Sequence, residues 1–254
     1  MEQIAKKRKK QYSYHTQKRK KYVLEPGLKG FFCSCNVREK DCVKESYNVL
    51  NEYADELYGA ENKEITNSAD ADDLYEEIQA IKSAGSIRRF QVVDSGAKNI
   101  VFIRTTLEDP VNLAKAIVND VFSKKEQKTR YLIRLVPIEA TCKAYLDDIK
   151  KSFESLIEKY FSNPTTFSIV YNHRNNNNLL KDEVISTIAD MVIKKNPEHK
   201  VDLTGAQVSV VIEIIRGNAL IGIVPDYIKY KKYNLHALCE NTNVEKPTAE
   251  TDTQ

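Results

Sequence analysis

Three cations in the stretch of residues 130–145, RYLIRLVPIEATCKAY, could bind an anion. Arg130 and Arg134 are four residues apart, so in a β-strand they would project from the same face. Lys143 lies close to the start of a predicted helix, and a helix N-terminus attracts negative charge. These residue types at this spacing suit a phosphate group. A solvated edge strand with incidental charge is the alternative that the three residues alone leave open.

A strand and a helix must position these cations. Residues 131–138 alternate and are rich in β-branched side chains, which predicts a strand ended by Pro137. Thr141 then stands near the N-cap of a long amphipathic run. An apolar stripe at helical spacing continues through Leu146, Ile149, Phe153, Leu156, Ile157 and Tyr160. We expect this stripe to face the core.

A second set of candidate binding residues follows the predicted strand at residues 166–171. Arg174 precedes a run of four asparagines, which begins with Asn175 and Asn176. Asparagine favours turns and offers both donors and acceptors. A flexible loop is the plain interpretation of this run. With Arg174 beside it, we favour a contact with the ribose and phosphate of a nucleic acid.

Residues 1–22 form a basic arm. They hold nine Lys or Arg and one acid, giving +8, so the other 30 basic and 35 acidic residues carry −5. The first basic cluster consists of Lys6, Lys7, Arg8, Lys9 and Lys10. We expect the arm to be disordered in isolation and to neutralise nucleic-acid phosphates. A nuclear-import signal is the alternative, and the two roles are compatible.

Several kinds of site lack their sequence signature. None of the eight glycines forms Gly-x-Gly, which argues against a dinucleotide site, a glycine-rich methyl-donor loop and a P-loop. The four histidines stand apart and the five cysteines show no Cys-x-x-Cys spacing, so no metal is expected. No apolar run approaches the roughly 20 residues that span a bilayer, so we expect no membrane partner.

The elements ahead of residue 124 approximate a ferredoxin-like half-sandwich. They are predicted as strand, helix, short helix, two strands and helix, at residues 30–37, 43–59, 74–81, 87–93, 99–104 and 110–121. Later in the chain, a helix over residues 184–192 precedes strands over 208–215 and 220–224, joined by a turn at Gly217-Asn218. This mixture predicts an α+β fold.

The stretch of residues 130–145 resembles the start of the THUMP domain in the adaptor proteins of tRNA acetyltransferases. That family carries Arg-x-x-x-Arg-x-x-Pro-Ile-x-x-Thr-Cys-Lys-Ala, matched without a gap by residues 130–144. Residues 24–59 resemble the N-terminal ferredoxin-like domain of the same adaptors. Residues 171–176, 199–204 and 231–235 are also similar to family segments. Where the family has Asn-Pro this chain has Gly205-Ala206, which predicts a looser turn.

The resemblance implies a noncatalytic tRNA-binding adaptor for N4-acetylcytidine formation in the D-arm of leucine and serine tRNAs. Acetyl transfer would belong to a partner, an RNA cytidine acetyltransferase that uses acetyl-CoA and ATP, so no cofactor is expected for this chain. Lys200, within the segment 199–204, completes the predicted RNA-binding residues. A general RNA-binding protein and a THUMP-type modification enzyme with an unrecognised site are the alternatives. We expect a nuclear and nucleolar protein, with the cytoplasm as a further location.

Four parts are therefore predicted. They are a disordered basic arm over residues 1–22, an N-terminal ferredoxin-like domain over 23–124, a THUMP domain over 125–235 and a disordered tail over 236–254.

Overall fold

The computed structural model describes residues 22–60 and 88–240, and shows an α+β fold with two sheets. The basic cluster of the arm, the predicted short helix at residues 74–81 and the chain beyond residue 240 lie outside the described residues. Within the described ranges, no helix has the length and apolar character needed to cross a bilayer.

The first sheet has the strand order β2-β3-β1-β4, and all its pairings are antiparallel. Its elements are β1 (Gly30–Cys35), α1 (Glu39–Tyr58), β2 (Phe90–Asp94), β3 (Ile100–Thr105), α2 (Pro110–Lys124) and β4 (Leu132–Ile138). This order confirms the ferredoxin-like prediction. α2 begins where the Asp109 side chain accepts from the backbone N–H groups of Val111 and Asn112, at 3.0 and 3.2 Å.

The second sheet has the order β5-β9-β8-β6-β7, with β6 parallel to both β7 and β8. Its elements are β5 (Ala140–Lys143), α3 (Leu146–Tyr160), β6 (Thr166–Arg174), α4 (Lys181–Lys195), β7 (Lys200–Val201), β8 (Val208–Ile215) and β9 (Asn218–Pro225). The predicted stripe of α3 is largely confirmed, because Ile149 and Phe153 are fully buried in the core that one face of this sheet shares with α3 and α4.

The chain crosses from the first sheet to the second where β4 leads into β5. The Glu139 backbone N–H donates to the Ile221 carbonyl at 2.9 Å, which ties the connection to β9. Residues of the second half, including Val211, Leu220 and Tyr227, belong to the same apolar core as the first sheet. β4 is thus part of the first sheet although it lies beyond the boundary predicted at residue 124.

Two predictions about residues 130–145 were wrong. Pro137 does not end the strand but lies inside β4, which tolerates a residue without an N–H because it is an edge strand. Thr141 does not cap a helix but lies inside β5. Its hydroxyl accepts from the Leu28 backbone N–H at 2.7 Å and lies 3.0 Å from the Glu25 carbonyl oxygen. The threonine therefore fastens the start of the first half to the edge of the second sheet.

The predicted start of the tail was also wrong. A 3₁₀ turn (Lys231–Tyr233) leads into a last short helix, α5 (Leu235–Cys239). Leu238 is fully buried, and the Lys125 ammonium group donates to its carbonyl at 2.9 Å. Sequence reasoning missed this helix because it has only five residues, and packing against the first half stabilises it.

Candidate nucleic-acid interface

Two of the predicted phosphate-binding residues lie at the same end of the second sheet. Lys143 is the last residue of β5 and pairs with Asn218 at the start of β9. Arg174 is the last residue of β6 and pairs with Ile215 at the end of β8. Both side chains are exposed. The strands that carry them are three positions apart, so their backbones are separated by roughly 14 Å.

Arg216, which was not predicted from the sequence, lies between them. It forms with Gly217 the two-residue turn between β8 and β9, one position earlier than predicted, and its φ is 53°. Its backbone N–H donates to the Arg174 carbonyl at 2.9 Å. We call this group, Lys143, Arg174 and Arg216, the cationic sheet end. An Arg-Gly pair between two β-branched strands was the signal that could have revealed Arg216.

The asparagine run forms a loop beside Arg216 that is held by hydrogen bonds. Asn175 has a φ of 55°, and the Asn176 side chain donates to the Arg216 carbonyl at 2.7 Å while accepting from the Asn178 backbone N–H at 2.9 Å. The run and the hairpin turn together line a surface pocket. Because its amide is used to hold this loop, Asn176 has a structural role here, and its contact with RNA stays a prediction.

Arg134 approaches the second sheet from β4. Arg134 is half-buried and lies opposite Ser34 of the neighbouring strand β1. Its backbone also forms an isolated β-bridge with Asn234. Burial raises the pKa of Tyr227 to about 12, and the positive charge of Arg134 acts in the opposite direction. Through its bridge to Asn234, Arg134 therefore lies beside residues of the second half and not only within its own sheet.

Arg130 does not join these cations. It precedes β4, so the expectation that it shares a strand face with Arg134 was wrong. The Glu45 carboxylate on α1 accepts from the backbone N–H groups of Arg130 and Tyr131, at 3.0 and 2.8 Å. The guanidinium group of Arg130 lies 5.4 Å from the centre of the Tyr131 ring. Helix α1, which is distant in sequence, thus sets the position of this arginine.

The N-terminus of α3 is not the anion site that the sequence predicted. The helix begins at Leu146, and Asp147 and Asp148 occupy its first turn. These carboxylates already complement the positive end of the helix dipole and would repel a phosphate. Tyr145 stands at the N-cap position without capping the helix, and 64% of the residue is exposed. It lies two residues from Lys143 and was not predicted as a functional residue.

Lys200 lies at the other end of the second sheet. It pairs with Thr166 at the start of β6, whereas Arg174 ends that strand, so the two are separated by roughly 26 Å along β6. The neighbouring turn at Gly205 is well defined, contrary to expectation. The Asp202 carboxylate accepts from the backbone N–H groups of Thr204 and Gly205, at 2.8 and 2.9 Å. These hydrogen bonds hold the pKa of Asp202 below its usual value.

The basic arm joins the folded chain beside the cationic sheet end. Asn218, the partner of Lys143, donates from its side chain to the Leu24 carbonyl at 3.1 Å. The Tyr22 carbonyl accepts from the Asp94 backbone N–H at 2.8 Å. The residues that precede Tyr22 carry Lys18, Arg19, Lys20 and Lys21. The attachment point of the arm is therefore next to the sheet end that carries exposed cations.

The cysteines of the first half are not arranged for metal chemistry. Cys33, Cys35 and Cys42 are buried, and burial raises the pKa of all three thiols, for Cys33 to about 12. A thiol with a raised pKa stays protonated, and the thiolate is the form that binds metals. In the part of the chain that the structure describes, no group of three or more His, Cys, Asp or Glu could hold a metal ion.

Comparison with known protein families identifies the second sheet, which carries these cations, as part of a THUMP domain. The THUMP domain family matches residues 143–224, which begin at Lys143 and include most of β9. THUMP domain-containing protein 1 of Mus musculus is 41% identical over 238 residues, covering 88% of this chain and 68% of the mouse protein. This chain thus spans about two thirds of the mouse relative's length.

A yeast protein and a solved structure extend the comparison. A protein of Saccharomyces cerevisiae named tRNA acetyltransferase TAN1 is 26% identical over 265 residues, covering 89% of this chain and 92% of the yeast protein. The solution structure of the THUMP domain of THUMP domain-containing protein 1 is 44% identical. It covers 33% of this chain and 87% of the solved one, with a TM-score of 0.31.

Proposed function

Because this chain belongs to the family of THUMP domain-containing protein 1, we propose that it is a noncatalytic tRNA-binding adaptor that presents leucine and serine tRNAs to an RNA cytidine acetyltransferase. The reaction served is N4-acetylcytidine formation in the D-arm. The acetyl group, acetyl-CoA and ATP are handled by the partner enzyme. The location that suits this role is the nucleus and its nucleolus, where the basic arm would direct the chain.

One observation carries the RNA-binding part of this proposal. Three exposed cations from three different strand ends, Lys143, Arg174 and Arg216, lie along one end of the second sheet. Cations spaced in a row neutralise successive phosphates and bind RNA largely through its backbone. The basic arm, which starts beside this row, would extend the same surface. Asn175 offers an additional polar contact at the rim of the loop.

A second candidate function comes from the name of the yeast relative, tRNA acetyltransferase, which is the name of an enzyme. In that case this chain would itself carry the acetyl transfer. The two candidates differ in where the reaction occurs, because an adaptor contributes by holding the target cytidine at the partner's site. An enzyme would instead bind acetyl-CoA and position a base against the exocyclic amine.

The deciding experiment measures the incorporation of labelled acetyl groups into tRNA. We expect none with this chain and acetyl-CoA alone, and efficient modification of leucine and serine tRNAs when the cytidine acetyltransferase and ATP are added. Incorporation by this chain alone would favour the enzyme. Equal incorporation by the partner alone would show that the chain is dispensable. Mass spectrometry of the modified nucleoside identifies the product.

Tyr145 is expected to stack on an unpaired base of the bound RNA. Its ring is exposed beside Lys143, and base–aromatic stacking contributes about 1–3 kcal/mol per base. We expect Tyr145→Ala to weaken tRNA binding by roughly tenfold with an unchanged salt dependence, while Tyr145→Phe binds like the wild type. Binding assays across a salt series check this. Tyr58→Ala, at an exposed tyrosine that ends α1, is the control and should have little effect.

A further inference from the structure

Glu213 is a buried carboxylate in the middle of the second sheet. It lies on β8, only 2% of the residue is exposed, and its Oε1 accepts from the Asn172 side chain of β6 at 2.8 Å. Its other oxygen, Oε2, is also buried and has no hydrogen-bond partner among the described residues. Burial raises the pKa of Glu213, whereas the Asn172 hydrogen bond and the charges of Arg174 and Arg134 oppose that rise.

A carboxylate is a costly residue at this position. An ionised group taken out of water without full pairing destabilises the fold. The residues two positions away on the same strand face, Val211 and Ile215, are apolar and fully buried. A third apolar side chain would fill the strand without that penalty. The presence of a carboxylate here therefore calls for a role of its charge toward neighbouring cationic side chains.

The charges that act on Glu213 are two arginines from different halves of the molecule. Arg174 lies two residues beyond Asn172 on β6, so its side chain leaves the same strand face and is a diagonal neighbour of Glu213. Arg134 lies on β4 in the first sheet, its backbone bridges to Asn234 of the second half, and its charge also lowers the pKa of Glu213. Neither guanidinium group has a hydrogen-bond or ion-pair partner among the described residues, so both retain their donors for a ligand.

We propose that Glu213 is a positioning residue, whose buried charge holds Arg134 and Arg174 together so that both bind the same phosphodiester segment of RNA. Two guanidinium groups brought close together repel each other, and a carboxylate between them offsets that repulsion. Because the arginines come from separate sheets, the pair also joins the two halves into one binding surface. This inference rests on the proposed tRNA-binding function and adds the residue that organises it.

The sign of the affinity change tests the proposal. Glu213→Gln keeps the size of the side chain and an oxygen for Asn172, but removes the charge. We expect tRNA binding by the full chain to weaken by roughly tenfold, with a salt slope lower by about 0.7–0.9 for each phosphate that is no longer neutralised. A buried negative charge that only repels RNA would have the opposite effect. Tighter or unchanged binding by Glu213→Gln would therefore overturn the proposal.

A double-mutant cycle separates positioning from a general loss of structure. In a chain that already carries Arg134→Ala and Arg174→Ala, Glu213→Gln should cause no further weakening of binding. An additive tenfold weakening in that background would contradict a role through the arginines. If the wild-type chain does not bind tRNA, both the proposed function and this inference are contradicted. If the wild type binds tRNA and Glu213→Gln binds equally well, only the inference about Glu213 is contradicted.

A measurement on chains that retain Glu213 covers the case in which Glu213→Gln does not fold. The pKa of Glu213 is followed by NMR titration in the wild type, in Arg134→Ala and in Arg174→Ala. Removing either cation should raise this pKa, because each positive charge favours the ionised carboxylate. Lys200→Ala, at the far end of the sheet, should leave it unchanged. A Glu213 pKa that neither arginine variant moves would show that the arginines are not held by this carboxylate.

Discussion

Replacing Arg134, Lys143 and Arg174 together by alanine is expected to weaken tRNA binding by ~100-fold at physiological salt. Each solvent-accessible interaction between a cation and a phosphate contributes about 1 kcal/mol, and removing three of them costs about 3 kcal/mol. The slope of log K against log salt should fall by roughly 0.7–0.9 for each phosphate left without its cation. Lys143→Ala alone should leave the melting temperature nearly constant, because Lys143 is exposed and forms no ion pair among the described residues. The triple variant should melt at a lower temperature, because it also loses the two charges that favour the ionised form of the buried Glu213.

Lys200→Ala is the matched control for this experiment. It removes the same charge from the same sheet, but at the end of β6 opposite to Arg174. We expect its effect on affinity to be less than about threefold, as for a charge outside the binding surface. If Lys200→Ala weakens binding as much as Lys143→Ala, the RNA runs along the whole length of the sheet. If the triple variant binds like the wild type, the cationic sheet end is not the RNA surface.

Gly222→Ala is expected to destabilise the fold by about 3 kcal/mol, the upper part of the range for overpacked cores. Gly222 lies in β9, and a Cβ atom there would clash with the backbone carbonyl oxygen of Pro137 in β4. Because the obstacle is main chain and not a flexible side chain, one of the two sheets must move. Denaturant unfolding measures the destabilisation as a lower midpoint with an unchanged slope.

Gly217→Ala provides the control within the same hairpin. A Cβ atom at Gly217 meets nothing within 4 Å. Substitution there should be neutral or stabilise by about 0.4–1 kcal/mol, since alanine restricts the unfolded chain. Equal stabilities for the Gly222→Ala and Gly217→Ala chains would mean that β4 and β9 do not approach each other as closely as the structure shows.

The amino-acid sequence by itself determined the kind of elements and the family. Apolar periodicity predicted the long helices, because the stripe that includes Ile149 and Phe153 has to be buried whatever surrounds it. Runs of β-branched residues predicted β8 and β9 for the same local reason. The gapless motif in residues 130–144 indicated the THUMP domain, and this assignment is confirmed by the family match over residues 143–224.

Only the tertiary structure decided which charges lie together. Arg130 and Arg134 are close in sequence, yet Glu45 of α1 holds the backbone of Arg130 outside β4, an interaction that spans 85 positions. Lys143, Arg174 and Arg216 are distant in sequence but lie along one end of the second sheet, because strand order and register bring the ends of β5, β6 and β8 together there. Lys200 is excluded from that end because it lies on β7, opposite Thr166 at the start of β6. Periodicity is a local property that one segment carries, whereas sheet order depends on the packing of the whole chain.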